Sequence, residues 1–155
     1  MLFCLDTSAL INSWNKLYPI DVFPTFWRTL EAWIVDGRVI APEEVLREIE
    51  RKDDELYAWA KEWKCMFRPP VEEVQEELRE ILASHLRLLD TKRGRHEADP
   101  WVIAQAKVAK ATVVTEELAS TEEEPKSPKI PDMCRRFGIP WVQTLDLLRT
   151  MKLRF

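Results

Sequence analysis

Asp6 ends a short apolar run, Leu2-Phe3-Cys4-Leu5. A run without alternation fits a strand covered on both faces, and an acid at its end needs a partner, because burying a lone carboxylate is costly. Other acids stand near expected strand ends: Glu48 in the helix after the second strand, Asp99 at the start of the helix leading into the third, and Glu116-Glu117 just after the third. In an open parallel α/β sheet, ligands bind beyond the carboxyl ends of the strands. Asp6 and the Glu116-Glu117 pair fall there directly. Glu48, past its first helical turn, can point back over the sheet edge, and Asp99 reaches the edge where a loop brings its helix round. Carboxylates gathered in one place raise one another's pKa values unless a cation neutralises them. Hard oxygen ligands of this kind suit Mg2+ or Mn2+. The chain's two His, His85 and His96, do not form a metal-ligand spacing.

The elements that must position these acids can be read in order. Leu2–Leu5 is the first strand, and Thr7-Ser8-Ala9-Leu10-Ile11 opens a helix with hydroxyls available for capping. Phe23, Phe26, Trp27, Leu30, Trp33 and Ile34 recur at helical spacing, with Pro24 suited to the first turn and Gly37 to the position past the end. Arg38–Ala41 is a second strand, stopped by Pro42. Glu43 begins a long helix that breaks or bends near Lys52-Asp53-Asp54, and an amphipathic helix follows Arg68-Pro69-Pro70. Thr91–His96 reads as a basic loop, Asp99-Pro100 as a helix start, and Thr112–Thr115 as a third strand. Ser120–Pro131 is a loop rich in Glu, Ser, Pro and Lys; a short helix then runs from Pro131 to Phe137 and closes at Gly138. Trp141–Thr144 is a fourth strand and Leu145–Met151 a last helix.

Short β-rich runs that alternate with helices predict a three-layer α/β/α architecture around a mostly parallel sheet of four or five strands. Residues 1–155 make a single domain, with a helical insertion at about 43–98 in place of a plain crossover.

The bulk numbers fit that reading. At 155 residues the chain can bury a core without staples, and its apolar (46%) and charged (32%) fractions are those of a soluble globular protein. A net charge of −4 argues against a surface that grips nucleic acid everywhere. Cys4, Cys65 and Cys134 contain no C-x-x-C pair, so they read as reduced, mostly buried thiols of a cytoplasmic protein. No basic segment precedes an apolar run at the N-terminus, and no apolar stretch reaches the ~18 residues of a membrane span. Seven Trp are many for this length; most belong in the core, and an exposed remainder would suit a protein contact.

Four segments taken in order resemble the motifs of PIN domains: Leu5-Asp6-Thr7-Ser8 after an apolar strand; Pro42 followed by Val45-Leu46-Arg47-Glu48-Ile49; Ala98-Asp99-Pro100-Trp101-Val102-Ile103-Ala104-Gln105-Ala106; and Val113-Val114-Thr115-Glu116-Glu117. The resemblance covers nearly the whole chain. It is nearest to the PIN-like toxins of prokaryotic toxin–antitoxin pairs, in a subgroup carrying Asp-Pro-Trp and a late Ile-Pro-Asp-Met-Cys segment. The common PIN pattern has Asp where this chain has Glu117, which leaves both Glu116 and Glu117 in play as the fourth acid. The resemblance implies a metal-dependent endoribonuclease in which Mg2+ or Mn2+ on the acidic cluster activates water for in-line attack, with no covalent intermediate. It implies Asp6 and Asp99 as main ligands, Glu48 as a ligand through water or a base, and Glu117 completing the site. Thr7, Ser8 and Thr115 would orient water or carboxylates, with Glu116 in support. Apart from the resemblance, the positive charge of Arg87, Lys92, Arg93, Arg95 and His96 just before Asp99 would either guide RNA to the metal or form no more than a solvated loop. A cognate antitoxin is the implied partner, and a homodimer is a further one.

Plainer readings stand beside these. Asp99 before Pro100 also fits an ordinary N-cap with proline at the first helical position. Glu48 also fits a solvated helix face, and Glu116-Glu117 fit helix-start acids favoured by the dipole. His85 falls on the apolar face of its helix, and Cys134 reads as buried. A catalytically inactive PIN-fold binding module is the main functional alternative. A haloacid-dehalogenase-type phosphatase would place a second Asp two residues after Asp6, where Ser8 stands, and a dinucleotide-binding enzyme would need a G-x-G-x-x-G that is absent.

Overall fold

The computed structural model of the chain describes residues 1–84, 98–123 and 125–155. Among them five strands form one parallel sheet in the order β3-β2-β1-β4-β5: β1 Phe3–Leu5, β2 Val39–Pro42, β3 Phe67–Arg68, β4 Thr112–Val114 and β5 Trp141–Val142. The helices are α1 Thr7–Asn12, α2 Pro24–Val35, α3 Glu43–Lys52, α4 Asp54–Glu62, α5 Glu72–Ser84, α6 Asp99–Ala109, α7 Ile130–Phe137 and α8 Thr144–Thr150. A π-helical turn, Ser13–Leu17, continues α1, and a 3-10 turn, Lys64–Met66, leads into β3. The α/β sheet with flanking helices is the expected architecture.

Strand alternation assigns the two faces of β1. Phe3 stacks on Trp33 of α2 with ring centroids 6.4 Å apart, and Leu5 lines an apolar cleft with α1, α2 and α8 residues. Cys4 points the other way, its thiol 3.9 Å from the Val102 carbonyl of α6. Helix α6 packs across β1, β2 and β4 and carries α5 on its outer side. So β1 is covered on both faces, as a continuous apolar run requires. From β1 the chain moves first towards β2 and β3, then returns to the other side as β4 and β5. Consecutive parallel connections of the same hand that run in opposite directions put their helices on opposite faces. They also open a crevice at the carboxyl ends of β1 and β4.

Three expectations about elements need correction. The segment between β2 and β4 is not purely helical, because it contributes the edge strand β3, whose Phe67 pairs with Ala41. Ala98, not Asp99, occupies the cap position of α6, and no side chain among the described residues caps it. None of the seven Trp is exposed: Trp27, Trp33 and Trp59 are buried, and the other four are partly buried against the core. Trp27 sits between Trp14 (4.9 Å) and Trp59 (4.8 Å) in edge-on contacts. The surplus Trp therefore belongs to the core and its margin. Cys4 and Cys134 are buried as expected, whereas Cys65 is exposed. The expected break after Lys52 is real. Asp53, extended at φ −155°, ends α3 and starts α4, its carboxylate accepting the Leu56 N–H at 3.0 Å.

Candidate functional site

Asp6 leaves β1 with its backbone N–H on the Val114 carbonyl (3.1 Å). Its carboxylate is the N-cap of α1: Oδ1 accepts the Ala9 N–H at 2.7 Å. Only 2% of the residue is exposed. Two hydroxyls complete its surroundings. The Ser8 hydroxyl lies 2.9 and 2.8 Å from the two carboxylate oxygens, and the Thr115 hydroxyl donates to Oδ2 at 2.6 Å.

The turn after β4 then closes a small network. The Glu116 N–H donates to the Ser8 hydroxyl at 3.0 Å, and the Glu117 N–H donates to the Thr115 hydroxyl at 3.1 Å. Each hydroxyl has one proton to give. With a backbone donor already on its oxygen, each hydroxyl has an Asp6 oxygen as its nearest acceptor, and the two hydroxyls lie 3.2 Å from one another. Asp6 is thus surrounded by donors, an arrangement that favours its charged form, while burial opposes that form. Burial dominates, the nearby charge of Asp99 adds to it, and the bonds from Thr115, Ala9 and Ser8 pull the other way. The net effect pushes the Asp6 carboxyl up to about 8 from an ordinary 3.8. The Cys134 thiol, pushed up to about 12 by burial and then by the Asp6 charge, is inert.

The other expected acids are held in different ways. Asp99, 8% exposed, stands in the first turn of α6, close enough for its charge to act on Asp6. Glu48, 5% exposed, accepts the Ala98 N–H on Oε1 at 2.7 Å and the Lys52 ammonium on Oε2 at 3.2 Å, which ties α3 to the start of α6. Glu117 accepts the Ile130 N–H at the start of α7 (2.8 Å), and Glu116 accepts the Thr144 N–H at the start of α8 (2.9 Å). Of the hydroxyls, Thr7 does not join: its oxygen is buried and has no hydrogen-bond partner among the described residues. The fold therefore brings Asp6, Ser8, Thr115 and Asp99 to one crevice and attaches Glu48 beside Asp99. It sends the Glu116 and Glu117 carboxylates to two helix starts. Among the described residues, no three His, Cys, Asp or Glu side chains stand close enough as placed to hold a metal ion. The basic segment Arg87, Lys92, Arg93, Arg95 and His96, and His85 with it, lie outside the described residues.

Asp132 is a buried acid that the sequence reading passed over. It accepts the Ser120 N–H (2.8 Å), the Lys129 N–H (2.9 Å) and the Arg135 guanidinium (3.0 Å), and so anchors the loop between β4 and α7. Its signal was present: an acid in the third position of a helix reaches back to the N-cap backbone. No curated protein matches the chain. Over residues 3–155 the sequence matches the family described as a domain of unknown function (DUF4411), and the chain belongs to that family.

Proposed function

We propose that the chain is a PIN-like ribonuclease that hydrolyses RNA phosphodiesters with Mg2+ or Mn2+ held through Asp6 and Asp99. The observation that carries this reading is the Asp6 environment: a carboxylate at the sheet crevice with donors on both oxygens, buried beside a second acid. Two like charges in such a place fit a cation, and their oxygens are of the class that hard divalent ions take. Bound there, the cation would lower the pKa of a water and offset charge on the phosphoryl oxygens. The chain's own part is orientation. Ala9, Ser8 and Thr115 hold the Asp6 carboxylate in one pose. The Ala98 N–H and Lys52 hold Glu48, which leaves it a role through water rather than direct ligation. The ordered motif set supports a place among PIN-like toxins, acting in the cytoplasm on RNA and blocked by a cognate antitoxin, with a homodimer as a further partner.

The test is cleavage of a labelled single-stranded RNA by the purified protein with Mn2+ or Mg2+, beside EDTA, Asp6→Asn and Asp99→Asn. Metal-dependent cutting that disappears in all three controls is the expected result. Cutting that survives Asp6→Asn would refute this site. One observation favours the alternative, an inactive binding module: the Glu48, Glu116 and Glu117 carboxylates are all engaged by backbone N–H groups rather than gathered on one point. Calorimetric titration with Mn2+ separates the two, since the inactive module predicts no heat of binding.

A further inference from the structure

Glu116 and Glu117 follow β4 directly, yet their side chains leave in different directions. Glu116 reaches the start of α8 and Glu117 the start of α7, each accepting a backbone N–H. Their own backbone N–H groups face the other way, onto the Ser8 and Thr115 hydroxyls. Both residues are partly buried. We propose that Glu116 and Glu117 are positioning residues rather than metal ligands. Their carboxylates fasten the turn after β4 to α8 and α7, which aims two successive N–H groups at the Ser8 and Thr115 hydroxyls that stand against the Asp6 carboxylate. The inference rests on the nuclease reading for its purpose; the clamp itself consists of hydrogen bonds within the chain.

The distinction is chemical. A ligand role needs the negative charge on Glu117. A clamp needs only an acceptor oxygen, which glutamine keeps. It also explains how Glu can stand where the common pattern has Asp: the side chain spans to the start of α7, a task in which length matters more than ligand geometry.

The experiment uses the full chain and four variants, Glu116→Gln, Glu116→Ala, Glu117→Gln and Glu117→Ala. Amide hydrogen exchange at residues 116 and 117 is read in EDTA, and Mn2+ affinity is read by calorimetry. The alanine variants should speed exchange at these two amides roughly 10-fold or more while leaving the Val102 amide of α6 unchanged, a local opening. They should weaken Mn2+ binding about 10-fold or more, the usual effect of losing an outer hydrogen-bond partner. The glutamine variants should keep both within about threefold of the parent. Should an alanine variant fail to fold, its glutamine counterpart still decides. Glu117→Gln that preserves amide protection but loses Mn2+ as badly as Asp99→Asn would make Glu117 a ligand and overturn the clamp. Unchanged exchange in the alanine variants would overturn it too. A parent chain that binds no Mn2+ would refute the nuclease reading, while the exchange measurements would still decide the clamp.

Discussion

Asp6→Asn removes a charge from the interior while keeping the shape of the side chain. In the parent chain the folded-state pKa of Asp6, about 8, lies above its ordinary value of 3.8. Below about pH 4 both folded and unfolded chains hold the proton, and the group costs nothing. As the pH rises from there the unfolded chain releases the proton and the folded chain keeps it, so stability falls until about pH 8 and no further. Each pH unit in that window costs about 1.4 kcal/mol, so by pH 7 the accumulated cost is about 4 kcal/mol. Asparagine escapes this. Its carbonyl still accepts the Ala9 N–H, and its amide can donate to the Thr115 oxygen, as the protonated carboxyl must also do with its own proton. The expected result in EDTA is a variant about as stable as the parent near pH 4 and about 4 kcal/mol more stable at pH 7. Urea titrations followed by Trp fluorescence at half-unit pH steps read this directly, because all seven Trp touch the core. Millimolar Mn2+ should then raise the parent and not the variant, since a ligand that binds only the folded state stabilises it. A stability difference that stays flat from pH 4 to pH 8 would refute the reasoning, as would a variant that is weaker at pH 7.

Thr115→Val removes the 2.6 Å donor to Asp6 with little change in volume, and should lower Mn2+ affinity about 10- to 100-fold, measured by calorimetry. Trp27→Ala empties the centre of the aromatic cluster and should cost about 3–5 kcal/mol in denaturant unfolding. Gly138→Ala places a side chain at φ +67° where no neighbouring atom obstructs it, so the cost is backbone strain alone, about 1–2 kcal/mol, visible as a lower Tm. Glu48→Ala leaves the buried Ala98 N–H without its acceptor and should cost about 1–3 kcal/mol, most of it recovered in Glu48→Gln.

Local chemistry made much of this fold readable. Pro24 and Gly37 bracket α2, Gly138 closes α7 in the left-handed region, and Asp53 interrupts what would otherwise be one helix. These signals act within a few residues of where they stand. Strand β3 gave no such signal. Two residues cannot show a period, and the pairing of Phe67 with Ala41 is made by tertiary packing alone. The same division holds at the site. That Asp6 and Thr115 each stand at the carboxyl end of a strand was legible in the sequence; that they reach one crevice follows from the pairing of β1 with β4, which the alternation of elements does not specify. Where the Glu48, Glu116 and Glu117 carboxylates point depends on the starts of α6, α7 and α8, and no local pattern specifies those meetings.

Capping and chemistry are therefore not rival explanations for these acids. Asp6 caps α1 with one oxygen, and that bond is part of what holds its carboxylate at the crevice. Capping alone would be served as well by Ser or Asn, which carry no charge to bury. Here an acid is kept at 2% exposure beside another acid, with two hydroxyls against its oxygens and a backbone N–H donating to each of those hydroxyls. A purely structural cap has no need of that arrangement, and asparagine would serve it with greater stability at neutral pH. On the proposed reading a cation would relieve this local destabilisation: donors orient the carboxylate, burial opposes its charge, and the charge of neighbouring Asp99 adds to that cost. If stability alone had shaped position 6, the Asp6→Asn variant would show no gain at pH 7; a gain that Mn2+ cancels would mean that the carboxylate is kept for what it holds.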